Sequence, residues 1–321
     1  MSINNSLTNA QQSLLRWYQT NGRHDLPWRK TSDAYKIYLS EIMLQQTQVK
    51  TVLERFYFPF LERFPTLQSV AEAPLDDVLK MWEGLGYYTR AKNLHHSAIT
   101  CKGVLPTSPE ELGGLKGIGK STAHAICVFA YHQALPILDA NVKRVLCRYF
   151  ALCLKDEKVL WEKAWKLLNV KHPYAHNQAM MDVGALVCTS KNPQCDECPL
   201  VLTCKGKLAP ERYPLALKKK GVPTKKRFAL LLEKEGKLGL IQRKEKLLHG
   251  LWGFVQSDEL PEGVILGQVR HTYSHFKVAL DVVQTASFVN VDGWFTHEEI
   301  AKLALSSVDK KIKELYDAYA H

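Results

Sequence analysis

The chain has 321 residues, 46% hydrophobic and 23% charged. That excludes a disordered chain, a collagen and a disulfide-stapled miniprotein, and supplies core material for two ordinary domains. The formal net charge is +11, and residues 205–227 alone hold nine basic groups against one acidic, so a polyanion is the expected partner.

The N-terminus, MSINNSLTNAQQSLLRW, has no charged region followed by an apolar one. No apolar run approaches the ~18 residues of a membrane span. A cytoplasmic protein with no membrane partner is expected. Residues 11–204 read mostly as helices, with apolar residues three and four apart at Ile37, Leu44, Val52 and Leu53. Pro59, Pro65, Pro74, Gly84, Gly86, Pro106, Pro109, Gly113 and Gly114 punctuate them.

Three motifs in this stretch carry chemistry. Glu41 lies in AYKIYLSEIMLQQTQV, where a helix would set it among Ile37, Tyr38, Leu44 and Gln45. A carboxyl desolvated there has a raised pKa and suits a general acid, the bland alternative being a surface glutamate. In LGGLKGIGKSTAHAI, Gly117 and Gly119 flank Ile118 in a tight turn before a helix starting near Ser121. Such a helix N-terminus suits a DNA phosphate, the alternative being an ordinary helical corner. In PILDANVKRVLCRYF, Asp139 precedes a helical run through Val142, Val145, Leu146 and Tyr149. The helix dipole would keep that carboxylate ionised, and a plain N-cap is the alternative. A neutral acid and an anion in opposite environments are what cleavage of a glycosidic bond needs.

Cys101, Cys127, Cys147 and Cys153 are scattered and read as small buried hydrophobes. Cys188, Cys195, Cys198 and Cys204 form C-x6-C-x2-C-x5-C, a metal site in a cytoplasmic chain. An iron–sulfur cluster and zinc both fit four thiolates, and a closed site points to a structural role. After the basic connector, RFALLLEKEGKLGLIQRK reads as a hairpin around a Glu-Gly turn. HFKVALDVVQTASFVNV adds strand, and residues 306–319 close with a helix. The expected division is an all-α domain over 1–204, a linker over 205–227 and a small α+β domain over 228–321.

Taken together, SEIMLQQTQV, GLGYYTRAKNL, LKGIGKSTAHAI, ILDANVKRVL, NQAMMDVGALVC and the four-Cys loop resemble the helix-hairpin-helix DNA glycosylase superfamily, in its adenine-removing branch. The likeness spans residues 7–321. It implies a multidomain fold: an all-α helix-hairpin-helix glycosylase domain with a four-Cys cluster loop, plus a smaller α+β Nudix-like domain. It implies a monomeric, monofunctional enzyme of base-excision repair. The enzyme would act on double-stranded DNA, hydrolyse adenine from A:8-oxoguanine or A:G mismatches and leave an abasic site. By resemblance Glu41 protonates adenine N7, Asp139 stabilises the sugar cation and Asn141 orients the sugar. Trp28 and Arg29 of LPWR, with Asp182 and Ser121, form the adenine pocket. Gln46 and Tyr87 wedge into the base stack, Thr47 and Leu85 touch 8-oxoguanine, and Gly117 and Gly119 meet backbone phosphate. Cys188, Cys195, Cys198 and Cys204 ligate a [4Fe–4S] cluster, and Lys205 and Lys207 beside it meet phosphate. GLWGFV (250–255) is the Nudix-like match, and RHTYSHF (270–276) supplies Ser274 and His275 to read the lesion.

Two departures are visible. Lys116 stands where the family's hairpin has proline. Only 15 residues separate Val255 from His271, so the helix expected there is shortened or absent and the opposite-base clamp is weakened. No helix dense in glutamate follows Phe254, which argues against nucleotide hydrolysis. An endonuclease III-like lyase would carry a nucleophilic lysine at the position of Ser121, although Lys120 is next to it. A catalytically silent DNA-binding scaffold would have no need of both Glu41 and Asp139. Cutting the chain near Leu217 is expected to separate adenine removal from opposite-base choice.

Overall fold

Apolar spacing of three and four residues produces helices from Ile3 onward, and among the described residues no strand precedes Thr224. The structure is a computed structural model describing residues 3–215, 221–245, 247–286 and 289–320. In chain order the helices are α1 (Ile3–Asn21), α2 (Ala34–Leu44), α3 (Val49–Arg55), α4 (Tyr57–Arg63), α5 (Leu67–Glu72), α6 (Leu75–Met81), α7 (Thr89–Thr100), α8 (Pro109–Gly113), α9 (Lys120–Tyr131), α10 (Ala140–Phe150), α11 (Glu157–Leu167) and α12 (Pro173–Asp182). A π-helical turn, Val183–Val187, continues α12. The stop residues act as expected, except that Pro59 sits inside the first turn of α4, where a missing N–H costs nothing. No helix among the described residues is long and apolar enough to cross a membrane.

Two compact units emerge, and both are discontinuous in sequence: Met1–Gln45 with Val104–Lys218, and Gln46–Gly103 with Lys219–His321. In the first, α1 packs on α12, α2 and α8 on α9, and α10 on α11 and α12. One core gathers Leu14, Val142, Leu146, Leu160 and Val183, and a second gathers Ile37, Val128, Phe129 and Ile137.

In the second unit, α5 and α6 pack on α7. The strands are β1 (Thr224–Leu231), β2 (Glu233–Lys234), β3 (Lys237–Gln242), β4 (Trp252–Gly253), β5 (Val255–Ser257), β6 (Val264–Thr272), β7 (Lys277–Gln284) and β8 (Gly293–Phe295), followed by α13 (His297–Lys302) and α14 (Ser307–Ala320). One sheet runs β5-β1-β7-β6, with β1 and β7 parallel; the other runs β2-β3-β4 with β8 beside β3. The core between them holds Ala229, Leu231, Leu238, Phe254, Leu280 and Ile312. Loop and strand, with no helix, fill the short interval from Val255 to His271.

The units do not follow the chain-order division into 1–204, 205–227 and 228–321. Specific polar contacts explain why residues 46–103 go with the β-rich part. The Glu83 side chain, 8% exposed, pairs with Lys310 at 2.8 Å and accepts the Leu305 N–H at 2.9 Å. Lys80 Nζ donates to Leu303 O at 2.9 Å, and Tyr88 Oη to Leu305 O at 3.2 Å. The connector is also shorter than its charge suggests. Lys205 and Gly206 donate to the carbonyls of Tyr149 and Arg148, and a Cβ at Gly206 would sit 2.5 Å from Arg148 O. Residues 216–220, including Leu217, lie outside the described residues.

The expected hairpin is partly replaced. Glu235 and Gly236 make a turn with φ of 53° and 73°, as a two-residue hairpin requires. Only Glu233–Leu238 and Lys234–Lys237 pair across it. The apolar run of β1 instead lies parallel to β7, which buries both faces better than a two-stranded ribbon can.

Candidate active site

A short extended segment, residues 135–139, organises the first unit's site. Neighbouring elements hold its backbone with side chains. Asn177 of α12 accepts the Ile137 N–H at 2.8 Å and donates to Leu135 O at 2.9 Å. Ser121 Oγ in the first turn of α9 accepts the Leu138 N–H at 3.1 Å. His124 Nδ1, one turn further on, lies 2.7 Å from Pro136 O. The segment delivers Asp139 to the N-cap of α10, where its carboxylate accepts the Val142 N–H at 2.7 Å. The plain N-cap reading is therefore correct as far as it goes. Asn141 follows, its amide oxygen accepting from Arg144 Nη2 at 2.9 Å. Gly184 permits this packing, since a Cβ there would lie 2.7 Å from the Asn141 Cβ.

Glu41 lies on α2 in the same unit. Burial and the nearby Asp139 charge raise its pKa from 4.5 to about 7, against the Arg29 guanidinium. No donor among the described residues hydrogen-bonds its carboxyl. The expectation that the helix dipole favours an ionised Asp139 meets an opposing effect. Burial raises Asp139 as well, and the N–H groups of Val142 and Asn141 and the charges of Arg144 and Arg23 only oppose that shift. The two carboxyls thus share a desolvated setting and differ in their donors, a narrower contrast than opposite environments.

Arg29 and Asp182 form a fork. Nη1 and Nη2 reach Oδ2 and Oδ1 at 2.7 and 2.8 Å, with the arginine side chain 4% exposed and the aspartate fully buried. Arg23, which the sequence did not single out, adds its backbone N–H at 2.9 Å and Nε at 2.7 Å. Burial pushes Asp182 up, but the Arg29 hydrogen bonds and charge, with Arg23, bring it below the usual carboxylate range. Trp28 is buried in the one-turn helix that carries Arg29. Breaking such a pair from one side typically costs ~3–5 kcal/mol.

The hairpin is as expected at Gly117, whose φ is +81°. Gly119 has an extended φ of −81° and caps α9. No left-handed backbone requires glycine there, and a Cβ would meet nothing within 4 Å. Its contribution is an open surface over the helix's free N–H groups.

In the second unit the two expected wedge residues both have left-handed backbones, with φ of 58° at Gln46 and 49° at Tyr87. Such strain collects at functional sites. Arg90, another residue the sequence did not flag, ties their loops together. Its Nη2 donates to Thr47 Oγ1 at 3.2 Å and Gly86 O at 3.1 Å, and its guanidinium lies 5.4 Å from the Tyr87 ring centre. Tyr87 is 46% exposed, whereas Leu85 is buried. Tyr87, Ser274 and His275 line one cavity of about 330 Å³. Ser274 Oγ is 3.2 Å from His275 Nδ1 on the exposed β6–β7 turn.

The four clustered cysteines line one small cavity. Among the described residues no three His, Cys, Asp or Glu converge as ligands of a single ion. Four sulfurs spread around one space suit a multi-atom cluster better than a lone zinc. Arg148, buried on α10, bonds Cys188 Sγ at 3.3 Å, Thr189 O at 2.6 Å and Pro210 O at 3.0 Å, closing the loop on itself.

Comparison with known proteins runs in chain order, and the first match crosses both units. The HhH-GPD superfamily base excision DNA repair protein model matches residues 39–169. The iron–sulfur binding domain of endonuclease III matches 188–201, and a NUDIX domain matches 227–315. The adenine DNA glycosylase of Buchnera aphidicola subsp. Baizongia pistaciae is 46% identical over 204 residues, covering 61% of this chain and 58% of that protein. The chain therefore spans less than two thirds of that relative's length. The human adenine DNA glycosylase is 31% identical, covering 97% of this chain and 74% of its own. A solved thermostable thymine-DNA glycosylase superposes with a TM-score of 0.60 at 27% identity, covering 64% of this chain and 98% of its own.

Proposed function

The chain belongs to the adenine DNA glycosylases of the HhH-GPD base-excision repair superfamily, and from that premise we propose that it hydrolyses adenine from A:8-oxoguanine and A:G mismatches in duplex DNA. It acts as a monomer and carries no lyase activity. What supports this most strongly is that burial, with the Asp139 charge acting on it, raises the Glu41 carboxyl to about 7. Neutral Glu41 donates a proton to N7 of the extruded adenine, making the base a leaving group. Asp139, held by backbone N–H groups, stabilises the cationic sugar, and Asn141 orients it. Trp28, Arg29, Asp182 and Ser121 shape the adenine pocket. Gln46 and Tyr87 enter the stack, Thr47, Leu85, Ser274 and His275 meet the opposite base, and Gly117 and Gly119 expose N–H groups to phosphate.

Cys188, Cys195, Cys198 and Cys204 would hold the [4Fe–4S] cluster, which supplies a structural crosslink when bound. Purified protein should contain close to four iron atoms per chain. Cys198→Ser should lower iron content and thermal stability while the folded fraction keeps its rate of base release. Iron and acid-labile sulfide assays check this, and stoichiometric zinc without iron would refute it.

The β6–β7 turn should govern the choice of opposite base. Ser274→Ala should reduce the A:8-oxoguanine over A:G rate preference severalfold and leave the A:G rate unchanged. An unchanged preference in both Ser274→Ala and His275→Ala would assign the turn another purpose.

Product analysis tests the reaction type. Free adenine should appear with the strand intact until heated in alkali, because the Ser121 hydroxyl cannot form an imine. The nearby amines are engaged: Lys120 Nζ lies 4.3 Å from the Trp161 ring centre, and Lys143 pairs with Glu157 at 2.6 Å. Ser121→Lys should raise borohydride trapping at least tenfold. Efficient nicking by the wild type would favour the endonuclease III-like reading instead.

A further inference from the structure

Asp139 does its work only if residues 135–139 stay in place, and the structure shows what holds them. Of the three side chains that bond this segment, His124 is the one least explained by packing alone. It is a titratable ring, 5% exposed, in the stretch of α9 that is buried continuously from Ala123 to Ala130. Among the described residues, the polar group that meets its ring is the Pro136 carbonyl, 2.7 Å from Nδ1. A carbonyl only accepts, so Nδ1 must carry the proton, which fixes the tautomer.

The plane of the ring is fixed as well. Trp161 and Trp165 of α11 meet it edge-on, with ring centres 5.1 and 6.5 Å away. Lys120 covers the Trp161 ring. Burial and the Lys120 charge lower the His124 pKa, the Pro136 carbonyl opposing, so the ring is neutral near pH 7.

We propose that His124 is a positioning residue for adenine release, its Nδ1–H holding Pro136 and thereby the placement of the Asp139 carboxylate. This rests on the adenine glycosylase reading given above. A carboxylate beside a developing cation must be placed closely, since an ångström of misplacement can cost ~10²-fold in rate. Ser121 fixes the Leu138 N–H, while Asn177 and His124 hold the two ends of the preceding peptide, its Ile137 N–H and its Pro136 carbonyl. Without His124 that peptide is held at its N–H end alone and can tilt about it.

The test uses the full-length, cluster-containing protein. Single-turnover release of adenine is measured alongside affinity for a duplex with a non-cleavable adenine analogue. His124→Leu should lower the rate about tenfold or more with affinity unchanged within twofold. His124→Asn, whose amide nitrogen can take the place of Nδ1, should restore the rate to within threefold of wild type. His124→Gln, whose amide sits one methylene further out, should fall between, and the Asn–Gln comparison decides the matter if the leucine variant does not fold. In an Asp139→Asn background, His124→Leu should cost less than twofold more, because the group it positions is gone. Equal rates in all His124 variants, or full additivity with Asp139→Asn, would overturn the proposal. Absence of adenine release by the wild type would instead overturn the functional reading on which it rests.

Discussion

Glu41→Gln lowers single-turnover adenine release by ~10²–10⁴-fold, the range general acid catalysis typically supplies, and leaves duplex affinity intact. Glutamine keeps the shape and cannot donate the proton. The pH dependence carries the same signature. With its pKa at about 7, Glu41 loses its proton as pH rises through neutrality, so the wild-type rate falls above about pH 7. The rate also falls at low pH, where Asp139, itself raised by burial, becomes neutral. Stability moves in step. The folded state binds the Glu41 proton more tightly than the unfolded chain does, so its contribution is complete below 4.5 and lost as pH rises to about 7. At pH 8, Glu41→Gln should therefore melt above wild type, by roughly 2–4 °C for each kcal/mol relieved. A glutamine variant within threefold of wild-type rate would remove Glu41 from the chemistry.

Asp139→Asn lowers the same rate by at least ~10²-fold while the melting temperature stays close to wild type. Asparagine caps helices about as well as aspartate, so the bond to the Val142 N–H survives and only the charge is lost. Asp139→Ala should lose both, with a further ~1 kcal/mol of stability from the missing cap. The pair of variants separates the two roles that one side chain plays. Equal rates in Asp139→Asn and wild type, measured under enzyme excess, would leave the residue as a cap alone.

Local signals were legible in the sequence, and long-range ones were not. The caps, the glycine turn at 117 and the four-Cys spacing depend on neighbours within a few residues, which the chain order displays. Glu41 was legible because its helical neighbours are apolar. Only half of the Asp139 setting was legible, because the helix dipole is a local property and desolvation a tertiary one. Arg23, Arg90, Arg148 and Asn177 left little sequence signal, since each has a partner far along the chain. Arg148 was the most accessible of them, being an arginine between buried positions of α10, at Cys147 and Tyr149. The hairpin reading of residues 227–244 held only at the turn for the same reason: the better partner of β1 lies some 50 residues downstream in β7. The resemblance bridged part of this gap, because it named residues together that the fold assembles.

The account turns on one measurement: single-turnover base release, under enzyme excess, on otherwise identical duplexes carrying A:8-oxoguanine, A:G, A:T and thymine glycol. The account predicts fast adenine release from A:8-oxoguanine, slower release from A:G, and none above background from A:T or thymine glycol. Release of thymine glycol with strand cleavage, or equal rates on A:8-oxoguanine and A:T, would contradict it.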